Sequence, residues 1–133
     1  MSKFHVNQVE THVRSLYEAG HWDSSLEDVA NMSRLLAVHA VWLVLGPDDG
    51  NERIVEVTDG SDDRGIDAVG VDTNAKVVVF VQSKWRQDGT GSMGLGDVLK
   101  FLAGVRSLLG MKPGAEPAHA SNETKTAVRD LLK

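Results

Sequence analysis

The sequence predicts an α/β fold, a small mixed β-sheet flanked by helices, with elements in the order α-α-β-β-β-α-α. Three observations carry this. Apolar residues recur at steps of three and four as far as Leu45, alternate or run continuously between Arg53 and Trp85, and then return to helical spacing. A segment rich in turn formers, Gly46-Pro47-Asp48-Asp49-Gly50, stands at the first change of period. The 133 residues, 41% hydrophobic and 25% charged, amount to a single domain spanning 1–133, since domains commonly run to about 100–150 residues.

Val6, Val9, Val13 and Leu16, with Tyr17 alongside, mark an amphipathic helix of about three turns, closed by Gly20. A second helix is expected from Ser24 or Ser25 to Leu45. Its later residues are nearly all apolar, so that half should be buried all round. Residues 53–57, 66–71 and 77–85 read as strands, with Asp72-Thr73-Asn74-Ala75-Lys76 as the hairpin loop between the last two. Val77-Val78-Val79-Phe80-Val81 is apolar on both faces and is expected in the middle of the sheet. After a polar loop at 86–94, Leu95, Leu99, Leu102, Val105 and Leu109 share one face of a third helix. Lys112-Pro113-Gly114 breaks the chain before a last helix at 122–132.

Composition excludes several kinds of protein. Cysteine is absent, which rules out disulfides, zinc ribbons, iron–sulfur clusters and cysteine nucleophiles. The apolar stretch 35–45 falls short of the roughly 18 residues a membrane span needs, and His39 sits within it. The first residues lack the pattern of a signal peptide. A cytoplasmic protein without membrane association is therefore expected. Net charge is −5, unlike a protein built to coat nucleic acid. Yet residues 1–83 hold 6 Lys/Arg against 14 Asp/Glu, and the remainder hold 8 against 5. An acidic half followed by a basic half suits a metal site beside an anion-binding surface, or ordinary surface variation.

The chemistry concentrates around one hairpin. Asp67 follows Gly65 at the start of an apolar strand, and Gln82, Ser83 and Lys84 end the most apolar one. Side chains two apart on a strand share a face, so Gln82 and Lys84 would project together and leave the Ser83 carbonyl at the same rim. Asp67 on the paired strand would meet them. Burying an acid, an amide and a lysine without partners costs several kcal/mol, roughly; a hard cation held by oxygen donors offsets that cost. Asp67, the Gln82 amide and the Ser83 carbonyl supply such donors for Mg²⁺ or Mn²⁺, and Lys84 would position a water for phosphodiester hydrolysis.

Gly65-Ile66-Asp67-Ala68 and Gln82-Ser83-Lys84-Trp85, joined by a hairpin, resemble the PD-(D/E)xK, restriction-endonuclease-like nucleases in their Mrr-type QxK variant. The likeness is nearest to the N-terminal region of abortive-infection phage-resistance (AIPR) proteins, where an Asp- and Gly-rich segment, here Thr58 through Asp67, leads into the same elements. The resemblance implies a restriction-endonuclease-like fold and metal-dependent endonuclease activity in prokaryotic phage defence, with DNA as the expected nucleic acid and RNA not excluded. It also implies a homodimer, for which the Trp-bearing second helix offers a face. Asp67, Gln82 and Lys84 would be catalytic, with Asp67, Gln82 and the Ser83 carbonyl as metal donors. Glu27 would be a further helix-borne acidic ligand, although Ser24-x-x-Glu27 also reads as a capping box. Arg86 on the loop, with Lys100 and Arg106 on one helix, would contact phosphates, although a solvated helix face explains Lys100 and Arg106 equally well.

The resemblance departs at two places: the acidic ligand that the superfamily often has on the helix before the sheet finds only Glu27 or Asp28 as candidates, and no strand is expected at 110–133, where the superfamily core has its last. This suits an N-terminal fragment of a longer protein, or a fold completed by a partner chain. The alternative function is a catalytically inert interaction or dimerisation module on the same fold.

Other patterns carry less. Gly89-Thr90-Gly91-Ser92-Met93-Gly94 has glycine-motif spacing but lacks the next strand a dinucleotide site requires. Asp59, Asp62 and Asp63 do not match a calcium loop and read as a solvated turn. The histidines show no ligand spacing, and His39, in an apolar helix, reads as a satisfied core or interface residue rather than a catalyst. Trp22, Trp42 and Trp85 read as anchors, with Trp85 placed to flank substrate.

Overall fold

A computed structural model describes residues 3–47, 52–58, 65–109 and 121–132. Helices α1 (Lys3–His21), α2 (Asp28–Leu45), α3 (Leu95–Leu108) and α4 (Asn122–Asp130) flank strands β1 (Arg53–Val57), β2 (Ala68–Asp72) and β3 (Val77–Val81). The class is α/β and the element order is the one the periodicity predicts. Among the described residues every strand pairing is antiparallel, so the expected mixed sheet is not seen there.

The sheet is a meander in the order β1-β2-β3, with β2 in the centre and buried along its whole length. The expectation that β3 lies in the middle is corrected: two successive hairpins centre the second strand, and β3 is an edge of the described sheet. What the run from Val77 to Val81 reports is layers. Val79 and Val81 pack with Ala37 and Val41 of α2. Val78 and Phe80 face the opposite cluster, built on Ile66, Val69, Val71, Leu108 and Val128. A sheet covered on both faces makes its strands apolar at every position. Between β2 and α2 the approach is close, since a Cβ on Gly70 would lie 2.3 Å from Val41 Cγ1.

Several boundaries move. Helix α1 runs through Gly20 rather than stopping there. Helix α2 starts at Asp28, with Glu27 at its N-cap and no side-chain capping bond, so the Ser24–Glu27 capping box does not form. The residues before it are committed to a turn instead: Asp23 Oδ1 accepts from the Ser25 N–H and hydroxyl. Buried Asn31 bonds back to Asp23 and Leu26. At the other end Gly46, at φ 79°, terminates α2.

Helix α2 is long and apolar enough to cross a membrane by length and composition alone. Here it packs against α1 and all three strands. It is not buried all round, however, because Leu43 and Val44 are 70% and 62% exposed. Helix α3 departs further from expectation. Its predicted apolar face splits: Val105 and Leu109 reach the core, but Leu95, Leu99 and Leu102 are exposed. The helix reaches the core only from Phe101 onward.

Ser121 caps α4 by accepting from Thr124 N–H. The β1 carboxylate of Glu56 adds bonds from Ser121 N–H, Ser121 Oγ and Thr124 Oγ1. Asp48-Asp49-Gly50, Asp59, Asp62, Asp63 and the Lys112-Pro113-Gly114 break lie outside the described residues.

Candidate active site

The site begins where the chain enters β2. Gly65 holds φ 78°, a region that costs other residues energy. Its missing side chain matters as well, because a Cβ would stand 2.7 Å from the Phe101 amide nitrogen of α3. Glycine thus turns the chain directly beneath α3. Ile66 then anchors in the core, and Asp67 is fixed from both neighbouring strands. Thr58 N–H donates to the Asp67 carbonyl at 2.9 Å, and Asp67 N–H donates to Val81 O at 2.7 Å. The Thr58 hydroxyl donates to Ile66 O at 2.6 Å, so the end of β1 holds this corner too.

The chain leaves β3 at Val81, four residues earlier than the sequence predicts. Ser83 N–H donates to Asp67 Oδ2 at 2.7 Å, which ties the two halves of the motif together through a carboxylate. The next residues lie along α2: Ser83 Oγ donates to Ser33 O, and Trp85 N–H donates to Ser33 Oγ at 2.9 Å. Asp67, Ser83, Lys84 and Arg86 thereby line a depression of about 400 Å³, with Val29, Ala30 and Ser33 of α2 among its other walls.

Lys84 reaches across to α3, where Nζ donates to Asp97 Oδ2 at 2.9 Å. That hydrogen bond, followed by the lysine charge, holds the Asp97 carboxyl below the usual carboxylate range. Asp97 is the residue that sequence reasoning missed. Its signal was present, since an acid in a helix's first turn interacts favourably with the helix dipole. Only the tertiary approach of α3 gives it the lysine.

The structure brings Asp67, Ser83, Lys84 and Arg86 together and leaves four expected partners outside the walls of the depression. Gln82 is half-buried and is not among the residues that line the depression. Strand pairing ends at Val81, one residue before it. Glu27 is exposed at the α2 N-cap, ahead of the residues of α2 that line the depression. Lys100 and Arg106 are exposed on α3, and Arg106 sits about 13 Å along the helix from Asp97 at 1.5 Å per residue. Among the described residues no three His, Asp or Glu side chains group in a way that could hold a metal ion.

Away from the site, His39 Nδ1 bonds the Tyr17 hydroxyl at 3.2 Å, and its ring stands edge-on to His12. His39 is thus a half-buried, hydrogen-bonded residue between α1 and α2, in keeping with the satisfied position expected of it. Compared with known proteins, the chain matches no family model, no curated protein and no solved structure.

Proposed function

We propose that the protein is a metal-dependent endonuclease of restriction-endonuclease-like fold, acting on nucleic acid in phage defence, with DNA as the first substrate to test. The observation that carries this reading is the bond from Ser83 N–H to Asp67 Oδ2. It joins the Gly-Ile-Asp and Gln-Ser-Lys segments at one end of the sheet, in an open depression that also holds Lys84 and Arg86.

The donors fit a small hard cation of the kind that takes one or two carboxylates and completes its shell with water and substrate phosphate. Asp67 supplies the carboxylate and Ser83, whose N–H that carboxylate accepts, would add its backbone carbonyl; Gln82 does not line the depression and is not part of this set. Mg²⁺ or Mn²⁺ at such a site supplies Lewis acidity for phosphodiester hydrolysis. Ser83 N–H orients the Asp67 carboxylate. Lys84, held at the rim by Asp97, neutralises charge that develops on the phosphate and orients the attacking water. Arg86 contacts an adjoining phosphate.

The test is cleavage of plasmid, single-stranded DNA and RNA with Mg²⁺, Mn²⁺ or EDTA. Asp67→Asn retains an acceptor for Ser83 N–H but removes the charge. Metal-dependent cutting should be lost in Asp67→Asn and fall about 10²–10⁴-fold in Lys84→Ala. Undiminished cutting in both variants, or none with any metal, would overturn the reading. A catalytically inert interaction or dimerisation module is the second reading, favoured by the exposed Leu95, Leu99 and Leu102 of α3. On that reading Lys84→Ala leaves the protein's activity in its host unchanged.

A further inference from the structure

The outer edge of β3 is open. Thr58 N–H donates to Asp67 O, so the odd-numbered residues of β2 bond β1 and the even-numbered ones bond β3. Ala68, Gly70 and Asp72 are paired with Val81, Val79 and Val77, whose backbone groups therefore turn toward β2. The N–H and C=O of Val78 and Phe80 point the other way, and among the described residues nothing bonds them. The side chains of Val78 and Phe80 pack in the Ile66 cluster and those of Val79 and Val81 against α2. Both faces of the strand are covered while its backbone edge is not.

Natural sheets protect such an edge with charge, proline or a bulge. The opposite edge, β1, carries Arg53 and Glu56, whereas Val77 to Val81 hold neither charge nor proline. Helix α3 likewise carries more apolar surface than three strands cover. Phe101 and Val105 join the cluster that holds Val78 and Phe80. Val98 and Leu102 stand beside Val105 on the helix, with Leu95 and Leu99 beyond, and these four are 39–74% exposed. Unpaired backbone groups along an edge specify an extended strand as the partner. β3 is itself such a strand, uncharged and open along one side.

We propose that this edge joins a second copy of the chain, β3 to β3 antiparallel about a two-fold axis at Val79. That register sets Val78 of one copy opposite Phe80 of the other, so all the outward groups of the strand find equivalents to bond. Val79 meets its own equivalent, no charges within the strands are opposed, and the meander continues from one copy into the next. Opposed residues share a face, so the exposed leucines of both α3 helices come to the same side of the joined sheet. One strand of five residues and one helix face make a small interface, below about 1,200 Å² in total, and dissociation in the micromolar range is expected. The contact uses no group of the Asp67 depression and does not rest on the nuclease reading.

Sedimentation equilibrium between about 1 and 200 µM should show a monomer–dimer equilibrium. Proline at Val78 removes an outward N–H but no bond to β2. Val78→Pro should therefore weaken association about tenfold or more, whereas Val55→Pro, on the outer edge of β1, should leave it unchanged. Circular dichroism checks that each variant is folded. Should Val78→Pro not fold, Val77→Lys puts a charge at an exposed position of the same edge and should weaken association likewise. The chain has no cysteine, so Val79→Cys places a single thiol at the axis. There opposed Cα atoms of a non-hydrogen-bonded pair lie about 4.5 Å apart, within disulfide reach. With diamide as the two-electron oxidant, folded Val79→Cys should give a covalent dimer and Val55→Cys should not. A parent that stays monomeric at the highest concentration overturns the proposal and leaves the edge to a strand of a different chain. A dimer of parental strength in the folded edge variant, or one that Val79→Cys does not cross-link, overturns it as well.

Discussion

Replacing Gly65 by alanine tests the corner on which the whole site depends. The added Cβ would lie 2.7 Å from Phe101 N and 3.0 Å from both Lys100 C and Phe101 Cα. All three are backbone atoms of α3, so no side chain can swing aside. Either α3 retreats, drawing Phe101 and Leu108 from the cluster they share with Ile66, or the Gly65 turn opens and displaces Asp67. Holding alanine at φ 78° costs about 1–2 kcal/mol, and forcing a methyl into a filled contact costs about 1–3 kcal/mol more. Reduced freedom of the unfolded chain returns about 0.4–1 kcal/mol. The net expectation is a loss of about 1–4.5 kcal/mol, read as a lower urea midpoint at unchanged slope. Gly20→Ala is the control, because a Cβ there meets nothing within 4 Å and a helix favours alanine. If Gly65→Ala lies within about 0.5 kcal/mol of the parent, the close approach of α3 to this turn is refuted.

Burial, then the nearby His12, lower the pKa of His39, so the folded state favours neutral imidazole. That contribution to stability is present above the ordinary histidine value of about 6.5 and is lost as pH falls through the lowered one. The melting temperature should therefore decline on mild acidification, and His39→Gln should flatten that decline. Glu56→Ala removes three acceptor contacts at the start of α4 and should cost about 1–2 kcal/mol. Hydrogen exchange should speed up first in α4. Asp97→Asn should leave the melting temperature unchanged, since its pair with Lys84 is exposed. Under the nuclease reading it should slow cutting less than Lys84→Ala does. Because the Asp97 pKa is lowered, the pair persists above the ordinary carboxylate range and breaks only as pH falls through the lowered value.

Local spacing by itself determined the kinds and order of the elements, because helical and strand periods are properties of neighbours in the chain. It also determined the tight turn at Gly65 and the Asp72–Lys76 loop, where the Asp72 carboxylate bonds Ala75 N–H and Lys76 adopts positive φ. It placed Asp67 and Lys84 at matching ends of one hairpin, which antiparallel pairing of Ala68 with Val81 brings into register. Only the tertiary structure decided where that hairpin stops. Ser83 and Trp85 find partners on Ser33, fifty and fifty-two residues away, where β3 has ended at Val81, and Gln82 does not line the depression that holds Lys84. The same holds for α3, whose leucines have the spacing of a buried face although the helix reaches the core only from Phe101 onward. Periodicity fixes which residues lie side by side on an element. Which of them become buried, and which acid meets which lysine, depends on how elements distant in sequence pack against one another.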